Sequence, residues 1–416
     1  MGVIKRQSIK QGLVTYLGII IGALSTLFVY PNLGKEKFGE IQFVIGAAAF
    51  FVPFFGFGLS AVSIQFFTYF KQTKETRGRF LYVLLLCTLL SLVVFTSIVY
   101  WSKHLVGLYF AENGYLFLTY LPYILGIAFC VTLYNLLQNY ISNFGRIVIP
   151  NMIYNLSLKI LQPVFVLICL GGFMSFTNIL DGIFIVNILI VLATFYYLYH
   201  LGYLELNTKK TGVEKDLKKQ IVNYSLFSIL TNASGTLALQ IDKILIGLVV
   251  GASSVGIFSI PNLITDSIDV VRKAISGVAA PIISDSIKTN DLKMVDNIYK
   301  KSALLQFVIG MFLLIGAWIC ADDLYNLMAN GKEFSEGKNI ILILGLARLI
   351  DMLTGTNTEI ISFSKYYRAN LYMLLLLSVV NISLNLILLK QYGSIGSAYA
   401  TLIAMFLFNS AKLIFI

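Results

Sequence analysis

Ionisable side chains fall inside some of the most apolar stretches of this 416-residue chain. The cations are Lys159, Lys243, Arg272, Lys273 and Arg348, and the carboxylates are Asp242, Asp266, Asp269, Asp351 and Glu359. One such charge near the centre of a bilayer costs about 2.5–3.5 kcal/mol on insertion scales. Nothing in a merely structural helix requires that cost. Cations in this setting hold an anionic group such as a phosphate, the guanidiniums through bidentate hydrogen bonds and the ammoniums as point charges. Carboxylates at the same depth bind H⁺ or Na⁺ and couple an ion gradient to motion. The two signs nearly cancel, so composition alone leaves the sign of a substrate open.

Helical periodicity groups these charges with polar neighbours. In the run containing "TLALQIDKILIGLVVG" (236–251), Ser225, Asn232, Thr236, Lys243 and Gly247 share a stripe, and Asp242 points about 100° away, toward a neighbouring helix. In "NLITDSIDVVRKAISG", Asn262, Asp266, Asp269, Lys273 and Ser276 follow three- and four-residue steps. Arg272 lies beside them, so Asp269 can pair with either cation. "GLARLIDMLTGTNTEIIS" repeats the pattern with Arg348, Asp351, Gly355, Glu359 and Ser362. "NMIYNLSLKILQP" supplies Asn151, Asn155, Lys159 and Gln162, and the first run offers Gln11, Thr15, Gly18, Gly22 and Ser25. Taken singly, any of these residues can be a helix-packing contact, the lesser reading for each charge and the commoner one for Gly18-x-x-x-Gly22. As a set on several helices they predict a water-filled cavity along a transport pathway.

The elements that must position them are membrane spans. Of all residues 58% are hydrophobic and 12% charged, against about 25% charged in an ordinary soluble domain. The apolar residues fall in runs of about 20, the length that crosses a hydrocarbon core. Twelve runs are predicted, near 11–30, 41–67, 80–101, 115–138, 147–171, 179–201, 221–250, 255–283, 303–321, 338–361, 369–390 and 394–416. The expected fold class is an all-α polytopic membrane protein of about twelve transmembrane helices in two six-helix lobes. The lobes are expected at 1–201 and 221–416, joined by a cytoplasmic linker at 202–220. The last run ends at Ile416 with no polar tail, which predicts further helices after it.

A weak internal repeat supports the two lobes. "GKEKFGEIQF" (Gly34–Phe43) matches "GASSVGIFSI" (Gly251–Ile260) in its glycine spacing, and "LSAV" (Leu59–Val62) parallels "ISGV" (Ile275–Val278). Six spans separate the copies, so both keep one orientation and the lobes should be related by an axis along the membrane normal.

Basic residues concentrate on one side of these spans. Lys5, Arg6 and Lys10, then Lys71, Lys74, Arg77 and Arg79, and then Lys209, Lys210, Lys215, Lys218 and Lys219 lie on the N-terminal side. The opposite loops hold far fewer, including Lys35, Lys37 and Lys103. The positive-inside rule therefore places the N-terminus in the cytoplasm. This bias accounts for most of the net charge of +11, and no nucleic-acid partner is inferred from it. Cys87, Cys130, Cys169 and Cys320 lack metal-ligand spacing, and His104 and His200 sit at span ends without a partner nearby in sequence. No Gly-Lys-Ser/Thr phosphate loop is present, so the chain is not itself an ATPase. No cofactor is expected.

Three stretches, "FGFGLSAVSIQFF", "QIDKILIGLVVGASSVGIFSI" and "ARLIDMLTGTNTEII", resemble polysaccharide-export flippases of the multidrug/oligosaccharidyl-lipid/polysaccharide exporter superfamily. The opening "RQSIKQGLVTYLGIIIGALSTLFVYP" is similar to the start of lipopolysaccharide-biosynthesis flippases of the O-antigen type. The resemblance implies a central cavity alternately open to each side of a bacterial plasma (inner) membrane. It implies as partner a polyprenyl-pyrophosphate-linked oligosaccharide, besides bilayer lipids and a coupling H⁺ or Na⁺, and it implies no enzymatic activity. Lys159, Lys243, Arg272, Lys273 and Arg348 would then neutralise the pyrophosphate, with Asp242 as charge partner of Lys243. Asn151, Asn155, Asn232, Thr236 and Ser276 would line the cavity. The alternatives are a cation-coupled multidrug antiporter of the same superfamily and a polytopic sugar polymerase or glycosyltransferase. The antiporters commonly carry a carboxylate on the first span, which is absent here, and no loop is large enough for the catalytic centre of the enzymes.

Overall fold

The computed structural model describes Val14 and residues 17–110, 114–208 and 214–416, apart from the side chains of 237–239. The basic residues Lys5, Arg6, Lys10, Lys209 and Lys210 lie outside the described residues, as do the stripe positions Gln11 and Thr15.

The described chain is helical in long segments. α1 (Leu17–Leu33) widens to a π turn at Ser25–Val29 and tightens to a 3-10 turn at Tyr30–Leu33. Gly34, with φ +81°, then turns the backbone into α2 (Lys35–Gly56). The expected single run 41–67 is interrupted: α2 stops at Gly56, Phe57 and Gly58 adopt left-handed φ values of 43° and 67°, and α3 (Leu59–Gln65) and α4 (Phe67–Phe70) follow. α5 (Lys74–Tyr109) opens on a capping box in which Thr73 and Thr76 exchange side-chain and backbone hydrogen bonds. α6 (Gly114–Ser142), α7 (Val148–Leu170) and α8 (Phe176–His200) complete the first half.

In the second half, α9 (Lys215–Val249) and α10 (Ala252–Lys288) are long, and α10 runs through Pro261 and Pro281. α11 (Leu292–Ile319) begins at an Asp291 cap that accepts from the Met294 amide at 3.0 Å. α12 (Ala321–Leu327) is short. The expected run 338–361 is broken into α13 (Gly337–Leu353) and α14 (Asn357–Phe363), bent by 48° at Gly355, whose φ is +59°. α15 (Arg368–Tyr392) and α16 (Ser394–Phe415) form the final hairpin about Gly393.

Among the described residues nine helices are long and apolar enough to cross a membrane, or ten with α13–α14 counted as one bent span. The remaining two predicted runs correspond to α1, whose described part is short, and to α9, which is not among those nine. The protein is a multi-pass membrane protein.

Contacts group the chain into two compact units. The first holds the described residues up to Leu33 together with Val44–Thr236, and the second holds Gly34–Phe43 and Leu237–Ile416. In the first, α6 packs on α3, α5 and α8, and α7 packs on α8. Its core is aromatic: Phe70 stacks on Phe80 at 4.5 Å, and Phe67 meets Tyr140 edge-on at 5.7 Å. The segment after α8 belongs to this core, because Tyr203 stacks on Phe144 at 3.9 Å and Glu205 pairs with Arg77 at 2.8 Å. In the second unit α10, α11 and α13 pack together around Ile268, Leu314, Leu349 and Met352, and α16 joins α13 to α15.

Candidate functional site

Most of the charges singled out above meet inside the second unit. Asp266 and Asp269 on α10 face Arg348 and Asp351 on α13. Arg348 Nη2 lies 2.7 Å from Asp266 Oδ1, and the other Asp266 oxygen accepts from Asn262 at 3.0 Å. Arg272 Nε lies 2.6 Å from Asp269 Oδ1 and 3.1 Å from Asp351 Oδ2, while Lys273 reaches Asp269 Oδ2 at 3.0 Å. Arg272 therefore ties two helices through two carboxylates. The i,i+3 and i,i+4 pairings within α10 were legible as spacing; the partners on α13 were not.

Asp242 turns away from Lys243. Its two oxygens accept from Asn385 Nδ2 at 3.0 Å, on α15, and from Thr401 Oγ1 at 2.8 Å, on α16. The residue is 7% exposed and forms no ion pair among the described residues. The expected pairing with Lys243 is thus replaced by an oxygen- and amide-lined site, because the helical angle between positions 242 and 243 sends the two side chains to different neighbours. Lys243, half-buried, donates to Gln42 Oε1 at 3.3 Å.

The stripe read across Arg348, Asp351, Gly355, Glu359 and Ser362 is crossed by a 48° bend at Gly355, which puts Arg348 and Asp351 on α13 and Glu359 and Ser362 on α14. Asp351 and Glu359 still both act electrostatically on Arg272 and Lys412. Glu359 on α14 has a buried Oε2 without a hydrogen-bond partner, and Ser362 Oγ accepts from Asn370 at 2.6 Å. Ser276 on α10 is buried, with its hydroxyl unpartnered.

The first unit holds the rest. Lys159 on α7 lies along α1, with Nζ 3.2 Å and Cδ 3.0 Å from the point where a Gly22 side chain would begin, and Asn155 lies opposite Gly18. The small-residue stripe of α1 and the polar stripe of α7 therefore pack face to face, and Gly22 is a seat for the lysine stem. Lys159 forms no ion pair among the described residues. Asn151 accepts from Gln138 at 2.6 Å, Asn232 is exposed and Thr236 half-buried. Gly22→Leu is expected to displace Lys159. Labelling of a cysteine placed at 159 by a charged maleimide should change several-fold in rate when Gly22 is enlarged, and an unchanged rate would show that the seat does not exist.

Sequence reasoning missed the polar shell of Asp242 and a further cation. Asn381 and Asn385 are four apart on α15, a signal visible in retrospect. Lys412, the lone charge of the last run, is 2% exposed, donates to Thr358 Oγ1 at 2.6 Å and sits 3.9 Å from the centre of the Phe408 ring.

A family profile described as polysaccharide biosynthesis protein matches residues 6–287, more than half of the chain. The chain belongs to that family. A second profile, MatE, matches residues 228–387. Among curated relatives of this family member, an uncharacterized membrane protein of Methanocaldococcus jannaschii is 29% identical over 198 residues, 47% of this chain and 45% of that protein. A probable low-salt glycan biosynthesis flippase of Haloferax volcanii is 20% identical over 235 residues, 56% of this chain and 48% of that one. The chain thus spans a little under half the length of the curated relatives it matches. Solved structures of the same fold include an inward-facing multidrug resistance transporter of the MATE family in the MOP superfamily. It has a TM-score of 0.78 at 13% identity, over 96% of this chain and 93% of that one. The lipid II flippase MurJ, in an inward closed conformation, has a TM-score of 0.75 at 14% identity, over 98% and 87% of the two chains. These likenesses establish the MATE/MurJ-like fold.

Proposed function

We propose that the protein is a flippase that carries a polyprenyl-pyrophosphate-linked oligosaccharide across the plasma membrane by alternating access, coupled to an H⁺ or Na⁺ gradient, with its N-terminus on the cytoplasmic side. Membership of the polysaccharide biosynthesis family supports the substrate class, as does the flippase named among the relatives. The observation that carries the reading is Lys159, an ammonium seated over Gly22 with no carboxylate partner among the described residues. An unpaired cation at membrane depth is costly unless it meets an anion, and a pyrophosphate is such an anion. Lys243, which donates to Gln42, is the second cation assigned to the pyrophosphate. Arg272, Lys273 and Arg348 are neutralised by aspartates: Arg272 and Arg348 hold α10 and α13 in register, and Lys273 pairs within α10.

Coupling is assigned to Asp242. Its carboxylate, the Asn381 and Asn385 carboxamides and the Thr401 hydroxyl put several oxygens around one buried position. Such a hard, oxygen-rich site suits Na⁺ or a proton. The antiporter reading draws on the MatE match over 228–387, and the same experiment separates the two.

Purified protein in liposomes would be assayed for outward exposure of a fluorescent polyprenyl-pyrophosphate oligosaccharide, with organic-cation efflux measured in parallel. Lys159→Ala is expected to lower the flipping rate by about tenfold, the loss of one charge-assisted contact, with thermal stability unchanged. Asp242→Asn is expected to abolish dependence on the ion gradient. Cation efflux without lipid flipping would sink the flippase reading and leave the antiporter.

A further inference from the structure

We propose that the first unit carries a binding site for one anionic glycerophospholipid of the leaflet on its basic side, in a groove between α5 and α9. The inference concerns a different place from the charges above and does not depend on which substrate is carried. It takes from the proposed function only the sidedness of the basic loops.

The groove has a volume of about 930 Å³, within the range of sites that enclose a small ligand. Phe80, Leu84, Cys87, Ser91 and Val94 on α5 form one wall, at the three- and four-residue steps of a single helix face, and Ile221 and Val222 on α9 form the other. The break between α2 and α3 sets the spacing of the walls. At Gly58 the backbone of α9 comes so close that a side chain would begin 2.4 Å from the Ser225 carbonyl oxygen, and the Ser225 hydroxyl donates to the Phe57 carbonyl. α9 is thereby pinned to the break, and the gap beside α5 stays unfilled by any described side chain.

One end of this apolar groove is cationic. Arg79 and Lys218 both line it. Arg79 uses Nη1 to donate to the Thr208 carbonyl at 2.7 Å and stands over the Tyr82 ring. Its other guanidinium donors remain, and neither Arg79 nor Lys218 has a carboxylate partner among the described residues. Arg77, two residues away, shows the contrast: it is paired with Glu205. Two uncompensated cations at the mouth and an apolar trough behind them match the shape and charge of an anionic phospholipid. The phosphate lies between the cations and an acyl chain lies along Phe80 to Val94. Basic residues near such a leaflet each contribute roughly 1 kcal/mol toward anionic lipid. A zwitterionic lipid lacks the net charge to gain this.

The test uses the full chain with Trp101 and Trp318, its two tryptophans, replaced by phenylalanine and a single reporter, Val222→Trp, in the groove. Phe312→Trp on α11, 77% exposed and not among the residues that line the groove, is the control. Each is reconstituted in phosphatidylcholine vesicles containing either brominated phosphatidylglycerol or brominated phosphatidylcholine. Quenching at 222 should favour phosphatidylglycerol on the order of tenfold in apparent association, while quenching at 312 shows no preference. Arg79→Ala with Lys218→Ala should abolish the preference, and Arg79→Lys with native Lys218 should restore most of it. Equal quenching by both lipids at 222 would overturn the proposal, as would a preference that survives removal of both charges. Protection of position 222 from both lipids would also overturn it and point to a protein segment, such as residues 1–13, in the groove. Displacement of the brominated phosphatidylglycerol by sub-stoichiometric polyprenyl phosphate would overturn it in favour of the carrier lipid. Unaltered quenching at 312 in every variant keeps misfolding from imitating any of these results.

Discussion

Gly39→Ala is expected to leave little folded, monodisperse protein. A methyl group on residue 39 would begin 1.8 Å from the Ala252 carbonyl oxygen and 2.8 Å from the Gly256 amide nitrogen, and one on Gly256 would begin 2.1 Å from the Lys35 carbonyl oxygen. The contact is reciprocal: each glycine meets the residue four positions before its counterpart. These are the second glycines of the repeated stretches Gly34–Phe43 and Gly251–Ile260, so the repeat seen in the sequence is a pair of surfaces that pack on each other. Both obstacles are helix backbone, which has no rotamer to yield. Overpacking costs typically about 1–3 kcal/mol where side chains can shift, and here two helices must move apart, so the loss should exceed that range. Gly277 and Gly316, also within helices, meet nothing within 4 Å. Alanine at those positions should instead stabilise by up to about 1 kcal/mol through helix propensity. Apparent melting temperatures in detergent, with gel-filtration profiles, decide the matter: Gly39→Ala behaving like Gly277→Ala would disprove the close approach.

Arg272→Ala is expected to destabilise the second unit by about 3–5 kcal/mol, the range for removing one partner of a buried ion pair. Asp269 and Asp351 are 7% and 13% exposed at the side chain, and without the guanidinium Asp269 keeps only the ammonium of Lys273 as an ion-pair partner, while Asp351 keeps only the longer-range charge of Lys412. Arg272→Lys should recover only part of the loss, because an ammonium cannot present the planar fork that serves two carboxylates from one position. Neutralising both sides, as in Arg272→Met with Asp351→Leu, should be much milder than Arg272→Ala alone, since no uncompensated partner remains on α13. The exposed Lys300–Asp296 pair, at 71% and 57% side-chain exposure, is the internal comparison, and its removal should change stability by under about 1 kcal/mol. A double-mutant cycle on thermal unfolding measures the coupling directly. Equal effects at the 272 and 296 positions would show that α10 and α13 are not joined through this arginine.

These two sites also mark how far the sequence could be read. The glycine spacing at Gly34–Phe43 and Gly251–Ile260 was visible, but only the structure shows that Gly39 and Gly256 touch. The pairing of Asp269 with Arg272 or Lys273 followed from helical steps along one element. Asp351 as the partner of Arg272 on α13, and Asp266 as the partner of Arg348, depended on which helices pack. The span through Arg348 and Glu359 read as continuous, and its bend at the left-handed Gly355 was not legible, because apolar periodicity continues across a short break without registering it. Asp242 was recognised as a costly charge, and although the helical angle sends it away from Lys243, it was also expected to be that lysine's charge partner. Its actual neighbours, Asn385 and Thr401, lie 143 and 159 residues further along the chain.

The sequence by itself determined that the chain spans a membrane many times, where nearly every span runs, and that charges are retained inside them. Hydrophobic length and helical period are local properties, and lipid satisfies no backbone group that a helix leaves open. The tertiary structure alone decided which charges neutralise one another and which stand apart. It seated Lys159 over Gly22, closed a polar shell around Asp242 and left Arg79 and Lys218 at the mouth of an apolar groove. Those outcomes depend on distances between elements far apart in sequence, which the order of residues encodes only through the packing of the whole fold.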